Sequence, residues 1–319
     1  MGIVATALVA LSGVGSASAF GFGGPPFGGP FEVTLNGAWA PFNRCPVDNP
    51  TMLSADGSAK SALCVAVSGP SGAITIGKVT VPIGGSNTQN GLIIDNTEGT
   101  QTLVPARGGA LVGSPLALPG GLPALVCPSS SWTLREICHG RPNRFLDTVV
   151  MTLSSAGAPS EFNLFAGLSI GAPILALPVK LELSNPLLGP NCSIGTDRDP
   201  IVLHIANETA PTTEFAAFDA NGTPDPSGTM TLITLTGATQ GDNQFAIPGV
   251  HGCGFAGLLD RAIDRNAGLP SPVGNNSIVL NEVTSSLTGL SSPEEVVPND
   301  GKVLSSNWHS AIVHGHGHH

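Results

Sequence analysis

Two groups of residues have the types and spacing that chemistry would need. Gly167-Leu168-Ser169-Ile170-Gly171 matches the G-x-S-x-G nucleophile elbow. In that elbow a serine on a tight strand-to-helix turn presents its Oγ beside an oxyanion hole. Acid and base candidates follow in the order such enzymes use, Asp197 or Asp199 and then His204 or His251. The helix is the obstacle. Pro173 and Pro178 come directly after the serine, and each removes a backbone donor and crowds the preceding turn. A secreted ester hydrolase using Ser169 is therefore the alternative reading. The second group is His314, His316, His318 and His319 at the C-terminus, with His309 nearby. Neutral imidazoles at alternate positions can hold zinc, nickel or copper, but a tail without preformed geometry selects no metal.

Weaker signals end in turns or in structure. Asp219-Ala-Asn-Gly-Thr-Pro-Asp225 alternates oxygen ligands as a calcium loop does, yet it lacks the distal glutamate and reads as an Asn-Gly turn. His139, His204 and His251 are isolated, and no glycine loop followed by Lys-Ser/Thr is present to cradle a phosphate. No cofactor is expected.

Cys45, Cys64, Cys127, Cys138, Cys192 and Cys253 are an even set without a C-x-x-C pair, which favours disulfides over zinc. Six cysteines allow 15 connectivities. Pairing in order, Cys45–Cys64, Cys127–Cys138 and Cys192–Cys253, is the simplest. By loop closure each bond contributes on the order of 3–4 kcal/mol. Disulfides imply an oxidising compartment, and residues 3–14 form an apolar run followed by Ala17-Ser18-Ala19, an A-x-A cleavage signal. The first positive side chain is Arg44, so the basic segment of this leader is expected upstream of Met1. The run is too short for the roughly 20 residues of a membrane span, and export is the expectation.

Composition narrows the class. Charged residues are 11% against roughly 25% in an ordinary domain, so Ser, Thr, Asn and Gly must cover the surface. The formal charge is −10 with 12 Lys and Arg, and without a basic cluster nucleic-acid binding has no electrostatic footing. The 42 Gly and 28 Pro are scattered, as many short strands and turns require.

The elements that would position these groups are mostly strands. In residues 173–184, Leu175, Leu177, Val179, Leu181 and Leu183 share one face, with Ala176, Pro178, Lys180 and Glu182 on the other. Asn185-Pro186 and Gly189-Pro190 break that strand, Cys192 pins the corner, and residues 201–205 begin another. Trp39 anchors the first strand in the core. Within 73–83 the apolar parity switches at Gly77-Lys78, which predicts a β-bulge. Asn90-Gly91 predicts a turn, and Thr133 with Glu136 a capped helical turn. Further strands are expected at 145–153, 161–165, 214–218, 229–235, 245–247 and 277–280. One amphipathic helix is expected over 254–267, its apolar face made by Phe255, Leu258, Leu259, Ala262 and Ile263.

The run from Asn185 to Ile201, Asn-Pro-Leu-Leu-Gly-Pro-Asn-Cys-Ser-Ile-Gly-Thr-Asp-Arg-Asp-Pro-Ile, resembles the signature of a family of secreted actinobacterial proteins. Cys45-Pro-Val-Asp-Asn-Pro, Gly237-Ala-Thr-Gln-Gly-Asp, Gly252-Cys-Gly and Asn307-Trp-His-Ser-Ala are similar to the same family. Ser193 stands where that motif carries an aromatic residue. The resemblance implies export and shared cysteines, and it carries no activity.

The expected molecule is an all-β, disulfide-stapled sandwich or barrel-like body with one short amphipathic helix. A signal peptide at 1–19 and a Gly/Phe/Pro-rich leader at 20–30 precede β lobes at 31–140 and 141–290, with a C-terminal extension at 291–319. Its expected role is non-enzymatic: an exported structural or binding protein contacting an apolar, polymeric or self surface of the envelope. No nucleic acid and no transmembrane helix are expected. An envelope porin is a further alternative, set against a chain with no Tyr and 3 Trp, because such barrels carry aromatic girdles.

Overall fold

The computed structural model describes residues 33–127, 147–290 and 296–313. In chain order the strands are β1 (Lys60–Gly69), β2 (Ser71–Ile76), β3 (Val79–Ile83), β4 (Ser86–Asp95), β5 (Gln101–Pro105), β6 (Leu111–Gly113), β7 (Leu116–Ala117) and β8 (Val150–Ser155). They continue with β9 (Pro173–Ser184), β10 (Ser193–Ile194), β11 (Ile201–Asn207), β12 (Thr212–Phe218), β13 (Met230–Asp242), β14 (Val250–His251) and β15 (Ser277–Leu290). Short helices α1 (Pro50–Leu53), α2 (Gly121–Val126), α3 (Asp260–Ala267) and α4 (Asp300–Ser310) lie around them.

All pairings are antiparallel, and eight strands close on themselves. The ring runs β1, β4, β6, β8, β9, β11, β13, β15 and back to β1. Closure is thin at two seams: β6 meets β8 through Val112↔Ser154 alone, and β11 meets β13 through Ala206↔Gly241 and Asn207↔Gln240. The fold is all-β, as the alternation requires. Strands from both expected lobes share this one sheet, with β1 lying against β15.

β9 shows how the pattern works. Val179, Leu181 and Leu183 are buried, whereas Lys180 and Glu182 of the opposite parity reach the outer surface and pair with each other and with Asp197. The parity switch at Gly77-Lys78 is a hairpin rather than a bulge. Ile76 faces Val79 and Ile74 faces Val81 across a two-residue turn, so residues of opposite parity share one buried face. Gly77 takes φ 56, which the turn needs and a side chain resists. Asn90-Gly91 is also not a turn. Both residues sit inside β4, paired to Val65 and Cys64 of β1 and to Pro105 and Val104 of β5. Gly91 answers a packing demand, because a Cβ there would collide with the Met52 side chain of α1.

Two layers cover the barrel. Outside β1, Trp39 and Phe42 pack with Met52, Cys64, Phe218 and Trp308. Trp308 closes that layer by donating from Nε1 to Phe42 O at 2.8 Å. At one end of the barrel, Val179, Leu181, Leu183 and Ile201 pack with the β2–β3 hairpin, α2 and α3 into a solid core. Cys45–Cys64 ties the outer layer to β1, and Cys192–Cys253 ties β10 to the approach of α3. The expected helix over 254–267 begins only at Asp260. Gly254 (φ 75), Ala256 (φ 52) and Gly257 (φ 77) are left-handed or otherwise non-helical, so Phe255 and Leu258 are exposed rather than part of a buried face. Asp260 and Asp264 turn back to accept the backbone N–H groups of Cys253 and Val250. The signal peptide, the leader, residues 133–138 and hence the Cys127–Cys138 pairing, and His314, His316, His318 and His319 lie outside the described residues.

α4 had no counterpart in the sequence reading. Its first residue, Asp300, is buried and its Oδ2 accepts Ala62 N–H at 2.7 Å. Burial pushes the Asp300 carboxyl above the usual range, outweighing the Ala62 hydrogen bond that lowers it. An acid whose folded pKa is raised holds its proton more tightly folded than unfolded. Its contribution to stability therefore falls as pH rises from about 4 through the folded value. Asp300→Asn keeps an acceptor for Ala62 and removes the titration. The difference in urea midpoint, variant minus parent, is expected to grow over that pH range, and a flat difference would refute the assignment.

Candidate ligand cavity

The inward side chains of the ring do not fill it. Val65 and Val67 of β1 stand opposite Asn90 and Thr88 of β4 on one side and Leu287 and Ser285 of β15 on the other. Across the barrel, Leu175 and Leu177 of β9 face Ile205 and Leu203 of β11. Between these walls lies a cavity of about 560 Å³. That is within the ~300–1,000 Å³ of small-molecule sites. It is also many times the ~10–15 Å³ that a single water needs, so the cavity has room for several waters. Most of its wall offers them no hydrogen bond, so an apolar occupant displaces them favourably.

The mouth is built by a pinned loop and an edge strand. Residues 164–168 form a 3-10 turn capped by Asn163, whose Oδ1 accepts the N–H groups of Phe165 and Ala166. Gln101 Oε1 holds the turn's start by accepting Leu164 N–H at 2.9 Å. Asn207, buried at the thin β11–β13 seam, holds its end: Nδ2 donates to Gly167 O (2.8 Å) and Ser169 O (3.1 Å), while Oδ1 accepts from Gln240 Nε2 (3.0 Å). Phe165 and Leu168 of the turn and Phe215 of β12 line the cavity, yet they are 72%, 54% and 72% exposed. They form an apolar rim between the turn and β12. Their exposure is the kind that large apolar side chains show at sites of contact.

Electrostatically the cavity is bare. No Asp, Glu, Lys, Arg or His lines it among the described residues. Polar groups are few: Ser86, Thr88 and Asn90 alternate along β4, Ser285 lies across Val67 with Ser286 beside it on β15, and Thr213 and Gln240 come from β12 and β13. Asn90 is 3% exposed, and its Oδ1 has no hydrogen-bond partner among the described residues. Charge is kept on the outer wall, where Lys180 pairs with Asp197 at 2.9 Å. The hydrogen bond to Asp197 raises the Lys180 pKa. A water-filled channel barrel has a polar interior and an apolar outer band; here the distribution is reversed.

The sequence-derived candidates do not converge. Ser169 follows a 3-10 turn and precedes β9, so the helix that a nucleophile elbow needs after its serine is missing, in keeping with Pro173 and Pro178. Its Oγ donates to Ala166 O at 3.2 Å instead of engaging a base. Asp197 is committed to Lys180; His204 Nε2 lies 3.8 Å from Glu161, and its backbone N–H donates to Asp242. Asp219 Oδ1 accepts the N–H groups of Asn221 and Thr223, the turn expected there. Among the described residues no three His, Cys, Asp or Glu side chains gather to hold a metal. The cavity residues were missed because Asn90 read as a turn and the apolar alternation read as core. The family models, the curated proteins and the solved structures contain no match to this chain.

Proposed function

We propose that this is an exported, non-enzymatic binding protein that keeps an apolar small molecule out of water inside its barrel. The observation that carries the reading is the charge-free cavity of about 560 Å³ behind an apolar rim. Export is supported by two disulfides, which persist where thiols are oxidised. No helix of the described residues is long and apolar enough to cross a membrane. The exposed Phe165, Leu168 and Phe215 are the place where the barrel would meet the envelope or other apolar surface it loads from.

Nile red, a neutral apolar fluorophore, tests this directly. Saturable, blue-shifted emission at about one dye per protein is expected. Thr88→Trp combined with Ser285→Trp puts two indoles into the cavity from the two strands that flank β1, and dye uptake should then be lost while circular dichroism keeps the strand signal. Absence of saturable uptake by the parent protein, or undiminished uptake by the folded double variant, would overturn the reading.

A further inference from the structure

From the polar groups inside the cavity we infer that its occupant is an uncharged single-chain lipid carrying a hydroxyl head. This deepens the proposed binding function and rests on it. Three observations select that chemistry. First, no cation lines the wall among the described residues, which leaves a carboxylate or phosphate without a counter-charge, and burying such a charge unpaired is strongly unfavourable. The same absence of anions excludes an amine. Second, five of the seven polar residues in the wall are gathered on the two strands that flank β1. Ser86, Thr88 and Asn90 follow one another at every second position of β4, and Ser285 lies across Val67 from Thr88. Apart from Thr213, Gln240 and Ser286, the rest of the wall is Leu, Ile, Val and Phe with two glycines. A molecule that matches it is therefore polar at one spot and hydrocarbon elsewhere.

Third, Asn90 carries an acceptor with no partner among the described residues. Its register places it inward, opposite Val65, and its Oδ1 is buried without a partner. Buried acceptors are almost always satisfied, and an orphan calls for an explanation. Asn90 borders the cavity with that oxygen turned into the wall, so a turn of its amide brings the acceptor to an occupant's hydroxyl, which can accept in turn from the Thr88 or Ser86 hydroxyl. An ionised carboxylate has no proton to donate, and an ester has none either.

The experiment displaces Nile red at pH 8 with three molecules of equal chain length, each below its aggregation concentration: hexadecanol, methyl palmitate and sodium palmitate. Hexadecanol is expected to compete at concentrations at least about tenfold lower than palmitate, with the methyl ester between them; tenfold corresponds to about 1.4 kcal/mol. Asn90→Leu should erase the advantage of the alcohol over the ester while leaving palmitate the weakest. Palmitate competing as well as hexadecanol would overturn the inference, as would an unchanged alcohol-over-ester preference in the variant. The ranking on the parent protein decides the matter if the variant does not fold. Because Nile red uptake is read first, failure of this inference is separable from failure of the binding function itself.

Discussion

Trp39→Ala is expected to lower the unfolding free energy by about 3–5 kcal/mol, the range for emptying a buried indole site. Trp39 is fully buried, with Phe42 and Phe218 edge-on to it at centroid distances of 6.3 and 5.5 Å. Its Nε1 donates to Ala220 O at 3.1 Å, which holds the loop after β12 against the outer layer. The substitution removes the ring contacts and the donor together. Trp39→Phe separates most of the packing from the donor, because it keeps a six-membered aromatic ring and loses the N–H with the rest of the indole. Its cost should lie near the ~1–3 kcal/mol of a buried acceptor left unpaired. Urea denaturation of both variants checks the pair. Equal losses would show that the hydrogen bond, and not the packing, fastens the outer layer.

Cys192→Ser together with Cys253→Ser is expected to cost about 4 kcal/mol, more than the roughly 3 kcal/mol expected at Cys45 and Cys64. The difference follows from loop length, 61 residues of separation against 19. The longer bond also joins β10 to the segment that leads into α3, so its removal loosens the solid end of the barrel. The cavity lies towards the other end. Nile red uptake should therefore survive at temperatures where the variant remains folded. Unfolding free energies that rank the two bonds in the opposite order would show that native-state strain, not loop closure, sets their contributions.

The elements that alternate strictly were legible in the sequence. β9 and β11 came through because their periodicity is undisturbed, and the all-β class followed from the turns between such runs. Misreadings arose where a residue type answers a distant contact. Gly91 is small because Met52 lies on it, a demand that a local Asn-Gly signal cannot distinguish from a turn. The β2–β3 hairpin was read as a bulge because Gly77-Lys78 reverses the chain in two residues without the usual turn pair. α4 went unread although Leu304 and Trp308 recur at helical spacing after Asp300, because one buried stripe on a short helix is a weak signal. The cavity is the deepest omission. An inward-facing leucine obeys the same period whether its neighbour across the barrel touches it or stands a ligand's width away. Only closure of the ring in space tells the two apart.

The order in which the ring closes has a consequence for the chain's assembly. Cys64 of β1 meets Thr288 of β15 across more than two hundred intervening residues, and β15 is also the partner of β13. Pairings of such range form late and slowly. Until the final strand arrives, β1 and β13 each present a bare backbone edge, and such edges recruit other chains. A chain that stops short of Ser277 is thus an aggregation template with no interior to offer, and the hollow exists only once the last strand has been laid.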